Sequence, residues 1–445
     1  MQSLIGFSDL ILVPIYFFLL ISISNWIKKK NISKNPEYKY LTKGLILKLI
    51  GVTLFCLVYI IIYGGGDTTN YFLGSRAMVK LLYQNFNRGI AMIGNLYSVH
   101  NNYSFFNSET GWPPHYMYKD ERTFIVSRIT TIFYILSGGS FLVTSFLTAT
   151  FSYIGIWKLF ILFKRIFKCN SKHLFLIIIC MPSLLFWGGG IMKDSYVLGS
   201  SCWATYNFYK IFVTRNKIML NILLLIMNFT LLINIKSYVA ISLLPGFILW
   251  LYSNNLKSIK NRALKFAIAP FLILVFSGLS ISFLNNLDVI GLAEYQNIDQ
   301  TIEQAQVIQQ DLLREEQYGS NNYNIGTLDG SLSGMLKVAP RAVGTAIFRP
   351  FIWESRNPIM IFSGLENLIL IFTSLLLIIK INPIRFFKMI FSEPLLVHCF
   401  IFVLLFAFGV GIASTNFGAL VRYRIPLIPF FYTMLYVISG NIRST

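Results

Sequence analysis

Long apolar runs recur along almost the whole chain and restrict its fold more than any other feature. About eleven of them are long enough, or nearly long enough, to cross a bilayer. They fall at about 5–27, 44–63, 141–163, 174–187, 196–213, 218–234, 237–252, 266–284, 361–379, 395–412 and 425–440. With 55% hydrophobic and 13% charged residues, the chain has more apolar content than a soluble globule buries. The runs predict an all-α polytopic membrane protein that forms a single integral membrane domain, 1–445.

The charges of the loops predict how this domain is oriented. A net charge of +20 would favour a nucleic-acid partner in a soluble chain, but here many of the basic residues lie in short loops between apolar runs. If the runs cross the bilayer in turn, the loops between them form two sets. The set that we assign to the inside is basic and contains Glu37 and Glu393 as its only acids, as the positive-inside rule predicts. The basic cluster 28–30 follows the first run, so we interpret that run as a retained helix. We expect the N-terminus outside, the C-terminus inside, and no nucleic-acid partner.

This orientation places two long loops on the outer, non-cytoplasmic side. The first, 64–128, is expected to hold a helix after Asp67, and an apolar piece at 124–138 could lie along the interface. In the second, 285–360, apolar residues recur at three-and-four spacing, which predicts an amphipathic helix. Those residues are Tyr295, Ile298, Ile302, Ala305, Ile308 and Leu312. Loops of this length usually carry function.

Two triple-glycine segments precede acidic residues at outer helix ends. Gly64-Gly65-Gly66 leads into Asp67, and a carboxylate held there is a candidate general base at the bilayer surface. The alternative is a turn in which Asp67 caps the next helix. Gly188-Gly189-Gly190 precedes Lys193 and Asp194, where backbone N–H groups and the lysine could cradle an anion. The alternative is a Lys-Asp pair that caps the following helix.

Basic and aromatic residues mark three further outer positions. Lys236 lies in a short outer loop, where lysine is disfavoured, and this indicates a phosphate or carboxylate partner or a side chain that snorkels to solvent. The second loop ends in arginines interleaved with aromatic rings, which suit an anionic, sugar-like ligand or an interfacial aromatic belt. Its candidates are Arg341, Arg349, Trp353 and Glu354. Near the C-terminus Arg422, Tyr423 and Arg424 could bind a phosphate or diphosphate, or form structural ion pairs. Glu366 is a buried acid whose partner could be one of the arginines of 341–356.

Several chemistries find no support in the sequence. It contains no Walker loop, no dinucleotide fingerprint, no HExxH and no Gly-x-Ser-x-Gly motif. The five cysteines include no CxxC pair and imply neither a disulfide framework nor a zinc site. Eight charged residues that are far apart in the sequence all fall on the outer face, and we expect them to form a single outer cavity, with no metal ligands assigned. They are Asp67, Lys193, Asp194, Lys236, Arg349, Glu354, Arg422 and Arg424.

At these residues the chain resembles the polytopic glycosyltransferases of the GT-C type and the related envelope polysaccharide (O-antigen-like) polymerases. Gly66-Asp67-Thr68-Thr69-Asn70-Tyr71 stands where the GT-C type has an acidic residue in its first long outer loop. Arg422-Tyr423-Arg424, followed by Pro426 and Pro429, is similar to a basic, proline-marked segment near their C-terminal end. Many of those enzymes carry a paired acid, whereas Thr68 follows Asp67 here. The resemblance leaves open whether Asp194 or Glu354 supplies a second carboxylate, and whether a divalent cation is a cofactor.

The resemblance implies a transferase of the bacterial cytoplasmic membrane that takes sugar from a polyprenyl-(di)phosphate-linked donor on the outer face. Asp67 would deprotonate the acceptor, a glycan or lipid-linked molecule, while Arg422, Arg424 and Lys193 hold the phosphate leaving group. A repeat-unit polymerase is the nearest alternative. A flippase or transporter of lipid-linked glycans and a non-catalytic assembly scaffold are alternatives of other classes. The middles of the runs carry few charges, which disfavours transport.

Overall fold

The computed structural model of the protein describes residues 4–94, 99–118, 121–255, 307, 322–326, 332–356 and 358–442. Within these ranges the chain is helical and contains no β-strand. The helices of its first half are α1 (Phe7–Asn31), α2 (Leu41–Leu57), α3 (Asp67–Gln84), α4 (Phe86–Ile93), α5 (His115–Tyr118), α6 (Glu121–Leu136), α7 (Phe141–Phe167), α8 (Ser171–Ile178), α9 (Pro182–Phe186) and α10 (Lys193–Phe208). Then follow α11 (Ile218–Asn255), α12 (Leu332–Phe348), α13 (Pro358–Lys380), α14 (Pro383–Ser392), α15 (Pro394–Ala413), α16 (Phe417–Tyr423) and α17 (Ile428–Ile442). The all-helical class is confirmed.

Six helical segments of the described ranges are long and apolar enough to cross a membrane. They are Phe7–Asn31, Pro36–Ile62, Phe141–Phe167, Ile218–Ser253, Met360–Lys380 and Pro394–Ala413. Such a set indicates a multi-pass membrane protein. The expected number of about eleven spans is not confirmed within the described ranges. The run 174–187 is divided into α8 and α9 just before Pro182, and neither piece is long enough to span the membrane alone.

Two predicted runs are joined in one long helix with a break. Helix α11 covers both 218–234 and 237–252, and its backbone is non-helical at Lys236, with φ −148° and ψ 82°. The predicted run 266–284 and the amphipathic helix of 295–312 lie outside the described residues, apart from residue 307. The second long loop also contains α12, which its sequence did not predict because Gly334, Pro340 and Gly344 interrupt the apolar pattern.

By its internal contacts the chain divides into two compact units, Met1–Tyr209 with Lys217–Ser237, and Lys210–Asn216 with Tyr238–Thr445. In the first unit α7 and α10 pack backbone to backbone, since a Cβ atom on Gly155 would lie 2.0 Å from the carbonyl oxygen of Gly199. Helix α3 packs on α6, where the hydroxyl of Ser75 donates to the carbonyl of Ser127 at 2.8 Å. Small residues at helix contacts are typical of membrane proteins.

In the second unit α12 packs closely on α15. A Cβ atom on Gly411 would lie 2.2 Å from the carbonyl oxygen of Ala342. The extended segment 322–326 runs beside the loop that follows α15, where the N–H of Tyr323 donates to the carbonyl of Thr415 at 2.8 Å. This arrangement brings the segment, the loop after α12 and the start of α16 together.

Candidate functional site

The loop before Asp67 has a backbone that requires glycine. Gly64, Gly65 and Gly66 have φ values of 65°, 130° and 134°, a region that side chains other than glycine rarely adopt. No heavy atom would lie within 4 Å of a Cβ on Gly64, so conformation rather than close packing calls for glycine there. Glycine adopts these conformations without strain, so the chain can bend sharply just before Asp67.

Asp67 is the first residue of α3 and is half-buried. Gly66 takes the N-cap position, so Asp67 is not itself the cap. The hydroxyl of Thr69 accepts the Gly66 N–H at 3.1 Å and donates to the Gly66 carbonyl at 2.8 Å, which fixes the helix start. The carboxylate therefore stands at the positive end of the α3 dipole, which favours negative charge.

The second triple-glycine segment, by contrast, is explained by packing. Gly188, Gly189 and Gly190 are buried, and none has φ in the left-handed region. A Cβ on Gly190 would lie 1.9 Å from the ring of Phe55 on α2, and one on Gly189 would lie 3.0 Å from Val52. These glycines let the loop lie flat against α2, which accounts for them without a bound anion.

Both glycine segments lie against the C-terminal part of the helical segment Pro36–Ile62. Gly190 packs on Phe55 and Gly66 packs on Tyr59, one turn further along, and the two rings are 4.5 Å apart. Lys193 follows the second segment, is half-buried, and donates to the hydroxyl of Thr123 at 2.6 Å. The first unit thus brings the Asp67 loop and the loop that precedes Lys193 to one region.

Asp194 and Lys236 form a buried ion pair in this unit. The ammonium nitrogen of Lys236 lies 2.6 Å from a carboxylate oxygen of Asp194, and the two side chains are 9% and 3% exposed. Asp194 lies in the first turn of α10, where the helix dipole also stabilises a carboxylate. Of the partners expected for Lys236, the structure supplies the carboxylate. The pair gives both residues a structural role and explains a lysine at the break in α11.

In the second unit Glu354 binds Arg349 through several hydrogen bonds. The Nε atom of Arg349 donates to both carboxylate oxygens of Glu354, at 3.0 and 3.1 Å, and Nη2 donates to one of them. Glu354 also accepts the backbone N–H of Phe351 at 2.8 Å. Such a forked contact fixes both side chains. The contact between Arg349 and Glu354 stabilises the turn between α12 and α13.

Aromatic rings surround the same arginine. The guanidinium carbon of Arg349 lies 5.1, 4.9 and 6.0 Å from the ring centres of Tyr323, Phe417 and Phe351. The hydroxyl of Tyr323 donates to the carbonyl of Ser414 at 2.7 Å, and burial raises the pKa of this tyrosine. Arg349 therefore has partners on every segment that meets here.

The other predicted residues of this unit differ in exposure. Arg424 is 2% exposed, and its Nη1 donates to the carbonyls of Ile347 at 3.3 Å and Arg349 at 2.9 Å. Burial lowers the pKa of the Arg424 guanidinium. Arg422 and Tyr423 are half-buried at the end of α16, with the guanidinium 6.0 Å from the ring centre of Tyr423.

Arg341 and Trp353 lie at the surface of this unit. Arg341 is exposed on α12, and Trp353 is 78% exposed and stacked on Phe351, with ring centres 4.8 Å apart. The sequence-predicted residues thus fall into two groups, one in each unit. Asp67, Lys193, Asp194 and Lys236 belong to the first, and Arg341, Arg349, Trp353, Glu354, Arg422, Tyr423 and Arg424 belong to the second.

Sequence reasoning missed two internal residues. Lys48 lies within the second apolar run, is 1% exposed, and donates to the carbonyl of Leu184 in the short helix α9. The sequence could have indicated Lys48, because a lysine inside an apolar run usually has a functional or structural role. Tyr323 had no comparable signal, because it is one of several tyrosines in a polar loop. Within the described ranges no three His, Cys, Asp or Glu side chains come together as metal ligands.

No protein-family model, no curated protein and no solved structure matches this chain.

Proposed function

We propose that the protein is a glycosyltransferase of bacterial cell-envelope glycan assembly, with Asp67 as the general base. The observation that carries the proposal is the loop of three glycines in the left-handed region, which places a half-buried carboxylate at the start of α3. Asp194 and Glu354, the other two acidic candidates, are bound to Lys236 and Arg349. Asp67 stands directly after the glycine loop at the start of α3, and the assignment of the base rests on that position.

The proposed reaction is transfer from a sugar carried on a polyprenyl phosphate or diphosphate. Asp67 removes the proton of an acceptor hydroxyl, whose oxygen bonds to the anomeric carbon of the donor sugar. The bond from that carbon to the phosphate oxygen breaks, and the phosphate leaves as an anion with the electron pair. In the first unit, which contains Asp67, Lys193 is the cation best suited to that anion.

We further propose that the Asp67 loop lies on the outer side of the membrane. About eleven crossings, two long outer loops at 64–128 and 285–360, and an outer N-terminus would place the Asp67 loop outside the cytoplasmic membrane. The lipid tail of the donor would stay in the bilayer. A repeat-unit polymerase would use the same residues but join whole oligosaccharides.

The test separates catalysis from binding. Asp67→Asn keeps the size of the side chain and removes the base, so we expect loss of transfer with unchanged binding of a fluorescent polyprenyl phosphate. The matched control is Asn70→Asp, which changes a carboxamide to a carboxylate one turn along α3 and should leave transfer intact. Normal transfer by Asp67→Asn would refute the base assignment.

A second candidate function, transport of lipid-linked glycans, is favoured by the break in α11. Discontinuous helices with buried charges at the break are typical of secondary transporters, and Lys236 and Asp194 meet this description. If the protein is a transporter, Lys236→Met should abolish movement of a labelled lipid-linked sugar across proteoliposomes. Vesicles with native protein that move no lipid would count against transport.

A further inference from the structure

Arg424 is a charged side chain inside the second unit, and its buried Nε has no hydrogen-bond partner among the described residues. Its Nη1 donates to two main-chain carbonyls, those of Ile347 and Arg349. A guanidinium keeps its proton in proteins, so the Nε–H is a permanent donor. Burying an N–H group without a hydrogen-bond partner lowers the stability of the folded protein.

A small cavity lies beside this side chain. Its volume is about 10 Å³, and its polar lining consists of Arg424, Glu366, Asn367 and Tyr432, while the rest of the wall is aliphatic. That space accommodates about one water molecule, which needs two to four polar partners. The cavity is therefore the right size and polarity for a single water.

The side chains around the cavity are themselves fixed. The amide of Asn367 donates to the carbonyl of Pro350 at 2.8 Å, and the hydroxyl of Tyr432 donates to the main-chain carbonyl of Glu366 at 2.9 Å. Glu366 is 6% exposed on α13, one of the helices apolar enough to cross a membrane. A buried acid and a buried guanidinium thus line one cavity, and their opposite charges favour each other.

We propose that this cavity binds one structural water that accepts the Nε–H of Arg424 and donates to the Glu366 carboxylate. The water completes the hydrogen bonding of Arg424 and links the charge of a membrane helix to the turn after α12. Arg424 then positions the backbone at Ile347 and Arg349, and it does not contact the ligand. This inference is independent of the proposed reaction.

The first test fills the cavity. Leu427→Met extends an aliphatic lining side chain, and the matched control is Leu435→Met, a buried position of α17 outside the lining. Displacing the water would leave the Nε–H of Arg424 without a hydrogen-bond partner. We therefore expect Leu427→Met to lower Tm by about 2–4 °C in detergent relative to the control. A dry cavity would instead gain packing, and a Tm at or above that of the control would overturn the proposal.

The second test measures coupling across the water and looks for it directly. Glu366→Gln should lower Tm in the native chain and have at least a twofold smaller effect in an Arg424→Met background. Equal effects in both backgrounds would overturn the link between the two residues. A cryo-EM map of the full chain that resolves water should show density about 3 Å from the Arg424 Nε. A well-resolved cavity without that density would contradict the proposal, whatever the variants do.

Discussion

The ion pair between Asp194 and Lys236 gives the sharpest prediction about stability. The charged atoms are 2.6 Å apart, and the side chains of Lys236 and Asp194 are 9% and 3% exposed, so solvent screens the pair little. Removing one partner leaves the other buried side chain without the opposite charge of its ion pair, which typically costs about 3–5 kcal/mol. We expect Lys236→Met and Asp194→Asn each to destabilise the protein by about that amount.

The double variant distinguishes a lost pair from lost packing. With both charges gone no uncompensated charge remains, so the double variant should be more stable than the sum of the single effects predicts, by about 2–3 kcal/mol. The assay is thermal unfolding in detergent at one fixed scan rate, followed by intrinsic fluorescence. The control is Lys80→Met, an exposed lysine of the same unit, for which we expect a change within about 0.5 kcal/mol.

Two results would refute this reasoning. If Lys236→Met melts like the native protein, the ammonium is not buried against Asp194. If the two single effects add in the double variant, the residues do not interact.

Three further predictions concern the glycine segments and the second unit. Gly64→Ala should cost about 1 kcal/mol through its positive φ alone, and Gly64→Asn, which tolerates that region better, should cost less; equal Tm values would contradict this. Gly190→Ala should be far more harmful, because the new Cβ would lie 1.9 Å from Phe55, and a companion Phe55→Leu substitution should restore expression and folding measured by size-exclusion chromatography. Glu354→Gln should lower stability by about 1 kcal/mol, since it weakens a half-buried contact with Arg349, and no change at all in Tm would show that the contact is not formed.

The two triple-glycine segments show how far the sequence could be interpreted. Both read as glycines before an acid at a helix end, yet Gly64 meets a backbone requirement and Gly190 meets a packing requirement. The difference depends on Phe55, which is distant in sequence from Gly190, and no local pattern contains it. The all-helical class and an anionic partner for Lys236 both followed from local chemistry. That Asp194 is the partner did not, because the pairing depends on how α10 packs near the break in α11.

Burial was the property that the sequence predicted least well. Arg422 and Arg424 looked equivalent beside Tyr423, but Arg424 is buried and bonded to main-chain carbonyls while Arg422 is half-buried. A hydropathy pattern cannot distinguish them, since the two arginines are two residues apart in a short helix end. The contact between Arg349 and the ring of Tyr323 was likewise out of reach, because it joins segments from different parts of the chain.

The measurement that tests the central claim most directly is the chain-length profile of surface glycan from a deletion strain that carries either the native gene or Asp67→Asn at equal protein level. A base at Asp67 predicts that the variant fails to restore the glycan. Collapse of a ladder to a single capped unit would identify a polymerase, and a uniformly truncated glycan would identify a single-addition transferase. A native profile with Asp67→Asn would contradict the account.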